Sequence, residues 1–282
     1  MKKSIASRWW PERLRIALCP DRVVVARMGL GWRGNVLDKR IFDCAPATAE
    51  QAWQAPLAAL RTILEQHTKP NTAATVILSN HFVRFAIVPW RDGITNMMEQ
   101  TALAAHCFKN IHGDMAANWS IKVSDGGFRR NALASAVDRD LLFQLAQLFA
   151  GHKVSLSSVQ PYFMTACNRF RRELAAGKSG CLSVLERGRA TLGVFDQSGW
   201  QTLTARRLTD VSPVALAPLL VQEINSANLA VAPEHLFVAA LEDPKADFAN
   251  REWTTRKLQL KARHGFSPFE DARYAMALCG VA

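Results

Sequence analysis

The chain has 282 residues, of which 49% are hydrophobic and 21% are charged, so it can bury one large core or two medium ones. Because long Ser, Gly or Pro tracts are absent, wholesale disorder is excluded. The 35 Lys and Arg residues exceed the 24 Asp and Glu residues, which gives a formal net charge of +11. This charge suits a nucleic acid, an anionic membrane surface or an acidic partner, and it does not choose among them.

Cysteine and histidine usage argues against a metal site. The six cysteines are scattered without a C-x-x-C pair, and no histidine has another histidine four residues away. We therefore expect free thiols in a reducing compartment and no bound metal. The basic start "MKKSIASRWWPERLR" lacks the apolar region of a signal peptide, and no uncharged stretch is long enough to span a bilayer. The sequence predicts a soluble, cytoplasmic protein.

The first elements in chain order are three strands, a helix and a fourth strand. The stretch "LRIALCPDRVVVAR" reads as two strands joined at Pro20 and Asp21, and "NVLDKRIFD" reads as a third. The helix is "TAEQAWQAPLAALRTILEQH", with Thr48 as its N-cap and apolar residues at helical spacing. The short apolar run "AATVILS" is typical of a buried strand.

The middle of the chain alternates strands and helices. The strand "VRFAIVPW" ends at Pro89, and the helix "NMMEQTALAAHCFKNIHG" ends at Gly113. The dipeptide Gly126-Gly127 after Asp125 predicts a hairpin within "NWSIKVSDGGFRRNALASAVD". Next come a helix in "RDLLFQLAQLFAG", a strand in "KVSLSSVQP" and a helix in "YFMTACNRFRREL".

The order of the first elements returns in the last third of the chain. The strands "GCLSVLE" and "RATLGVF" are joined at Arg187 and Gly188, and "WQTLTARRL" is a third strand. The helix "SPVALAPLLVQEINSAN" has Ser212 as its N-cap and a proline at its first position, and the strand "EHLFVAAL" follows it. The last segment, "SPFEDARYAMALCGVA", predicts a final helix over residues 267–282.

Three strands, a helix and a strand, occurring twice, resemble the layout of the actin-like ATPase fold of actin, Hsp70 and sugar kinases. The resemblance implies an α/β protein of ribonuclease H-like type, with two duplicated βββαβα subdomains facing a central cleft. We place the two halves at residues 14–178 and 179–282, after a basic and aromatic segment at residues 1–13. The predicted C-terminal helix, 267–282, also fits the first half.

In proteins of this fold, the first hairpin carries an Asp-apolar-Gly-Thr/Ser pattern that holds metal-bound water and phosphate. Here the Asp position is Ala17, the Gly position is Cys19 and the hydroxyl position is Pro20, followed by Asp21. Alanine cannot bind a metal, and proline has no N–H to donate to a phosphate. The resemblance therefore implies that the first phosphate turn is vestigial.

The second hairpin and the adenosine turn are degenerate in the same way. If Thr191 is aligned with the family threonine, Leu185 takes the Asp position and Arg187, next to Gly188, takes the Gly position. If the alignment is shifted by two residues, Ser183 takes the Asp position and Leu185 takes the Gly position. The expected Gly-Gly turn falls in "FVAALED", which contains no glycine. We therefore expect a pseudo-ATPase with neither ATP nor magnesium as cofactor and with no catalytic residue.

The segment "VILSNHFVRFAIVPWRDGITNMMEQTALAAHCFKNIHG" resembles the PilM-like group of type IV pilus assembly and the cytoplasmic domain of the type II secretion protein GspL. The shared features are Arg-aromatic, apolar-Pro-Trp, a helical Glu, then Phe and Gly. They fall at Arg84, Pro89, Trp90, Glu99, Phe108 and Gly113. The resemblance implies a cytoplasmic scaffold that binds the tail of a PilN-like membrane protein.

Each signature residue also has a simpler interpretation. Trp90 after Pro89 can be a packed corner, Arg84 and Glu99 can pair or be solvated, and Phe108 can be core. The alternative function is an active actin-like ATPase or kinase with a divergent site that uses Asp21 or Asp196. A nucleic-acid binder is suggested by charge alone, and no helix-turn-helix, RNP or zinc-finger pattern supports it.

The N-terminal segment mixes basic and aromatic residues, a composition that suits an anionic interface. We expect it to lie near the inner membrane beside the partner, although a solvated basic face explains it as well. The candidate residues are Lys2, Lys3, Arg8, Trp9 and Trp10. The sequence defines neither the oligomeric state nor the face that binds the partner.

Overall fold

The computed structural model describes residues 13–29, 34–45, 52–67, 72–94, 96–124, 126–229, 233–248 and 253–281. The chain divides into two compact units, which are described separately. The first unit contains the described parts of Met1–Phe82, Leu141–Thr165 and Leu260–Ala282. The second unit contains the described parts of Val83–Asp140 and Ala166–Gln259. The division of the chain into two halves after residue 178 stays a prediction. The central cleft between those halves also stays a prediction.

The first unit is built on a five-stranded sheet. Its strands are β1 (Arg13–Leu18), β2 (Arg22–Met28), β3 (Val36–Asp43), β4 (Ala73–Leu78) and β8 (Ser155–Pro161). They lie in the order β3-β2-β1-β4-β8, antiparallel from β3 to β1 and parallel from β1 to β8. The inner strands are nearly continuous apolar runs, as expected for a sheet that is covered on both faces.

Helices α1 (Gln54–His67) and α3 (Arg139–Gly151) supply the apolar stripes that complete this core. Leu60 and Leu64 of α1 and Leu141 and Leu145 of α3 are fully or almost fully buried. The predicted α1 begins later than expected, since Gln54 is its first residue, and the predicted cap Thr48 lies outside the described residues. Helix α4 (Tyr162–Arg169) follows β8, and α5 (Arg171–Ala176) follows α4.

The second unit contains a five-stranded sheet with the same topology. Its strands are β9 (Gly180–Glu186), β10 (Arg189–Asp196), β11 (Gly199–Arg207), β12 (His235–Ala239) and β13 (Thr254–Lys257), in the order β11-β10-β9-β12-β13. Helix α6 (Pro213–Ser226) packs Leu216 and Leu220 against Leu192 of the sheet. The repeat of element order that the sequence predicts is thus a repeat of sheet topology.

The start of α6 confirms a cap that the sequence predicts. The Ser212 hydroxyl accepts a hydrogen bond from the N–H of Ala215 at 3.2 Å, and Pro213 is the first helical residue. Serine at the N-cap satisfies an N–H that has no partner inside the helix, and proline at the next position has no N–H to satisfy.

A three-stranded antiparallel sheet also lies in the second unit. Its strands are β5 (Val83–Val88), β6 (Trp119–Ser124) and β7 (Ala132–Asp138), in the order β5-β7-β6. Alternate residues of the central strand β7 are alanines, Ala132, Ala134 and Ala136, and they form a core with Phe108 of α2 (Met97–His112). Small side chains on this face let the helix approach the sheet closely.

The predicted C-terminal helix over residues 267–282 is wrong. The segment has turns to Asp271, a 3-10 turn at Ala272–Tyr274 and only the short α7 (Ala275–Leu278). The Asp271 carboxylate accepts from the N–H of Ser267 at 2.9 Å and pairs with Lys39 of β3. These contacts hold the chain in a turn where local propensity alone favours a helix.

A close approach at Gly265 gives a test of this arrangement. Gly265 has φ +79°, and an added Cβ would lie 2.0 Å from the Val36 carbonyl oxygen of β3. We expect Gly265→Ala to lower the free energy of unfolding by about 3 kcal/mol or more, because both the dihedral and the contact are unfavourable. Thermal and urea unfolding measure the change.

The control is Gly93→Ala, because Gly93 also has a positive φ (+94°) but nothing lies within 4 Å of its added Cβ. In this variant the free energy of unfolding should fall only by the cost of the unfavourable dihedral, about 1–2 kcal/mol. Equal losses for the two variants would show that residues 263–266 do not pack against β3 as described.

Candidate functional site

The turn between β1 and β2 is the one that the sequence resemblance predicts as the first phosphate turn. The N–H of Cys19 donates to the carbonyl of Arg22 at 3.0 Å, and Pro20 has no N–H. The carbonyl of Asp21 accepts from the N–H of Cys44 at 2.7 Å. The Cys19 N–H, which would face a phosphate in a functional turn, is therefore already bonded within the chain.

The Asp21 carboxylate binds the next residue. Both of its oxygens accept from Nη1 of Arg22, at 2.9 and 3.0 Å. The Arg22 side chain is only 4% exposed, whereas Asp21 is 38% exposed. A guanidinium this deeply buried requires a negative partner, so Asp21 is committed to neutralising Arg22.

The positions that correspond to the family Asp and Gly are part of the core. Ala17 is completely buried, and Cys19 is 3% exposed with its Sγ 3.6 Å from Sδ of Met276. An apolar residue and a thiol stand where metal-bound water and phosphate would need polar groups. The structure therefore places Ala17 near the end of β1 and Cys19, Pro20 and Asp21 in the turn that follows it.

The second turn joins β9 and β10 at Arg187 and Gly188. Gly188 has φ +78°, a conformation that favours glycine in a two-residue turn, and its carbonyl accepts from the N–H of Leu208 at 3.2 Å. Arg187 is exposed. Thr191 is fully buried in β10, and its hydroxyl has no hydrogen-bond partner among the described residues. Leu185, at the family Asp position, is buried in β9, and the buried Glu186 ends that strand beside the turn.

Asp196 lies at the other end of β10 and holds its own turn. One of its carboxylate oxygens accepts from the N–H of Ser198 at 2.8 Å, from the Ser198 hydroxyl at 2.7 Å and from the Gln201 amide at 3.0 Å. The bond from the Ser198 N–H is the side chain-to-backbone kind that is typical of Asp in a tight turn.

A buried polar group in the second unit was not predicted from the sequence. Glu223 of α6 is 1% exposed and accepts a hydrogen bond from the Thr204 hydroxyl of β11. Burial raises the pKa of the nearby Cys181 thiol to about 12, and the Glu223 charge adds to that shift. The thiol is thus protonated and unreactive at neutral pH. The sequence signal that could have indicated this buried group is that Glu223 is the one charged residue in α6.

The signature residues Phe108 and Gly113 have structural roles. Phe108 is fully buried, and its ring lies edge-on to that of Trp119 at 6.1 Å. Gly113, with φ +66°, ends α2, and its N–H donates to the carbonyl of Lys109. Glu99 lies in the first turn of α2 and is exposed, and its N–H donates to the side chain of the N-cap Asn96 at 2.9 Å.

The signature residues Pro89 and Trp90 line a depression at the end of the three-stranded sheet. The depression is shallow: it encloses only about 20 Å³ and is otherwise open to solvent. We call it the Trp90 depression, and its wall includes Val88, Trp90, Arg91, Ile94, Leu103 and Arg130. Arg84, also in the signature, is exposed on β5.

Hydrogen bonds fix Trp90 in the wall. Its N–H donates to Oδ1 of Asn131 at 3.2 Å, and Nδ2 of Asn131 donates to the carbonyl of Trp200 at 3.0 Å. The indole Nε1 donates to Oδ1 of Asp92 at 3.3 Å. The corner that the sequence predicts at Pro89-Trp90 is therefore real, and its tryptophan is part of a surface depression as well.

Two further observations bear on function. The membrane-proximal candidates Lys2, Lys3, Arg8, Trp9 and Trp10 lie outside the described residues. Within the described ranges, no helix is both long and apolar enough to cross a bilayer, and no group of three or more His, Cys, Asp or Glu side chains could hold a metal ion.

Comparison with known proteins identifies the fold. No family model and no curated protein matches the sequence. The cytoplasmic domain of EpsL, an inner membrane component of the type II secretion system of Vibrio cholerae, has a TM-score of 0.57 at 14% identity, over 88% of this chain and 90% of that one. The structure of the PilM-PilN type IV pilus biogenesis complex has a TM-score of 0.56 at 13% sequence identity, over 80% of each chain.

A third similar structure is a Bacteroides thetaiotaomicron protein of unknown function with an actin-like ATPase fold. Its TM-score is 0.56 at 9% identity, over 84% of this chain and 85% of that one. The chain has the actin-like ATPase fold. The predicted fold class is thus confirmed, and the resemblance to PilM-like and GspL-like proteins is confirmed at the level of the fold.

His112, beside the signature residues, gives a pH-dependent test. Burial lowers the pKa of His112 below its usual 6.5, and the nearby Arg84 charge lowers it further. The folded chain therefore loses stability as pH falls below 6.5, because the unfolded chain binds the proton more tightly. We expect the His112 ring resonance to titrate below pH 6.5, and Arg84→Gln to raise that pKa.

The control variant is Arg171→Gln, which removes the same charge from the exposed face of α5. It should leave the pKa of His112 unchanged in an NMR titration. A His112 pKa at or above its usual value, or one that does not respond to Arg84→Gln, would contradict the placement of β5 beside the end of α2.

Proposed function

We propose that the chain is a non-catalytic actin-like scaffold of a type IV pilus or type II secretion platform, on the cytoplasmic side of the inner membrane. It binds the cytoplasmic tail of a membrane-anchored partner of the PilN type. One observation carries the proposal: a chain with the fold of the EpsL cytoplasmic domain and of PilM has its first phosphate turn closed by its own groups.

The closed turn supports a scaffold that works without nucleotide. A functional phosphate turn makes several charge-assisted hydrogen bonds, each worth about 1.5–3 kcal/mol, so the loss of several weakens binding by orders of magnitude. In this chain Ala17 offers no oxygen, Pro20 offers no N–H, and the Cys19 N–H is bonded to Arg22. The proposal therefore includes no ATP, no magnesium and no catalytic residue.

The alternative, an active ATPase or kinase with a divergent site, would need a carboxylate free to bind metal or activate water. Asp21 pairs with the buried Arg22, and Asp196 accepts three hydrogen bonds in its own turn. These contacts favour the scaffold. The net charge alone suggests nucleic acid.

The proposal also includes a peripheral contact with the inner membrane. It is made by the N-terminal residues Lys2, Lys3, Arg8, Trp9 and Trp10. Basic and aromatic side chains together favour the anionic headgroup region. In this arrangement the partner supplies the anchor, and the N-terminal segment adds a weak electrostatic contact beside it.

Capture of the partner tests the proposed function. We expect the full chain, immobilised and mixed with detergent-solubilised membranes of its source organism, to retain a single-span protein identified by mass spectrometry. A synthetic peptide with that protein's cytoplasmic tail should then bind the chain with the same affinity in the presence and absence of Mg-ATP.

The matched control is a peptide with the same residues in scrambled order, which has the same charge and composition. Retention of soluble proteins alone, equal binding of the scrambled peptide, or an affinity that changes with Mg-ATP would contradict the proposal of a nucleotide-independent scaffold.

A further inference from the structure

The wall of the Trp90 depression combines apolar and cationic groups. Val88, Ile94 and Leu103 supply apolar surface, and Arg91 and Arg130 supply two positive charges. None of the described residues that line the depression carries a carboxylate. A ligand that fits this wall has an apolar group to bury and a negative charge to place beside the arginines.

An exposed aromatic residue extends the apolar surface beyond the depression. Phe128 is 77% exposed, and its ring lies edge-on to that of Trp90 with the centroids 5.4 Å apart. The guanidinium of Arg129 lies 5.3 Å from the centre of the Phe128 ring. Phe128 and Trp90 thus form one continuous apolar surface beside the depression, and contiguous apolar surface is what marks an interaction site.

Two exposed methionines lie in the first turn of α2, and Met97 is on the same helix face as Gln100, three residues later. Met97 and Met98 are 59% and 83% exposed, and Gln100 and Leu103 of the same helix line the depression. Methionine adapts its shape to a partner at low cost, which is why it is frequent on peptide-binding surfaces. Glu99 lies between these residues, so the acidic part of the partner should face the arginines rather than α2.

The aromatic part of the site is held in place before any partner binds. The backbone and indole N–H groups of Trp90 are bonded to Asn131 and Asp92, and Asn131 is bonded to Trp200. Because its orientation is fixed, Trp90 loses little conformational entropy on binding. Tryptophan and arginine are also among the residues that contribute most to binding energy at interfaces.

We propose that the Trp90 depression binds a short peptide segment in which an acidic residue adjoins a large apolar residue. The apolar side chain lies between Trp90 and Leu103, and the carboxylate lies between Arg91 and Arg130. This inference rests on the proposed function, because the segment belongs to the membrane-anchored partner. A nucleic acid would leave the apolar surface of Phe128 and the methionines uncovered, which makes a peptide the better occupant.

The test is selection from short random peptides displayed on phage, against the full chain. The selected peptides are counter-selected on the double variant Arg91→Gln/Arg130→Gln. The matched control is Arg171→Gln/Arg172→Gln, which removes the same charge from two exposed arginines of α5. Thermal unfolding of both variants checks that the chains are equally folded.

We expect selected peptides to have Asp or Glu within two positions of a large apolar residue. Fluorescence anisotropy with such a peptide should show at least about tenfold weaker binding for the Arg91/Arg130 variant and no change for the control. Phe128→Ala should weaken binding without changing its salt dependence, whereas the arginine variant should reduce that dependence.

Peptides without acidic residues, or peptides whose binding is unaffected by the Arg91/Arg130 variant, would overturn the inference. Binding of anionic vesicles or self-association that depends on these arginines, in place of peptide binding, would overturn it too. If the variant still retains the membrane partner at full strength, the proposed function stands and the partner binds elsewhere. If no membrane partner is retained by the unmodified chain, the proposed function itself fails.

Discussion

The ion pair of Asp21 with the buried guanidinium of Arg22 is the interaction on which the functional interpretation depends. It lies in the turn that follows β1, the central strand of the first sheet, and the hydrogen bond from the Cys19 N–H to the Arg22 carbonyl closes that turn. A buried guanidinium that loses a carboxylate partner is strongly destabilised, so the contact with Asp21 contributes to the stability of the fold.

The same topology occurs in both five-stranded sheets, but the two turns differ in structure. At the first turn, Ala17 and Cys19 are buried in the core, and the Asp21 carboxylate is paired with the Arg22 guanidinium. The second turn is an ordinary tight hairpin at Arg187 and Gly188, with a buried Thr191 behind it. A duplicated scaffold can keep its topology while its turns diverge, since strand pairing and core packing do not depend on them.

The sequence predicts most of the fold, because alternation, helical periodicity and caps are local signals. The Ser212 cap, the strand that ends before Pro89 and the hairpin after β6 all follow from neighbouring residues. The C-terminal helix was wrong because a distant contact, from Lys39 to Asp271, overrides local propensity. Residues 226 positions apart, such as Lys39 and Gly265, leave no pattern in one sequence.

The candidate site was predicted only in part. The family pattern indicates Trp90, but not that Asn131, 41 residues later, holds it or that Phe128 extends its surface. Arg91 and Arg130 are two of the many basic residues of a chain with charge +11, and their convergence on one depression is visible only in three dimensions. The Glu223–Thr204 contact was missed for the same reason.

Hydrogen–deuterium exchange of the amides between Leu18 and Val24, with and without Mg-ATP, tests most directly whether the first turn is closed by the chain itself. The Cys19 N–H is bonded to Arg22 and should exchange slowly, at a rate that saturating Mg-ATP does not change. Protection of this turn that appears only with Mg-ATP would show that it still holds phosphate, and would contradict a scaffold that works without nucleotide.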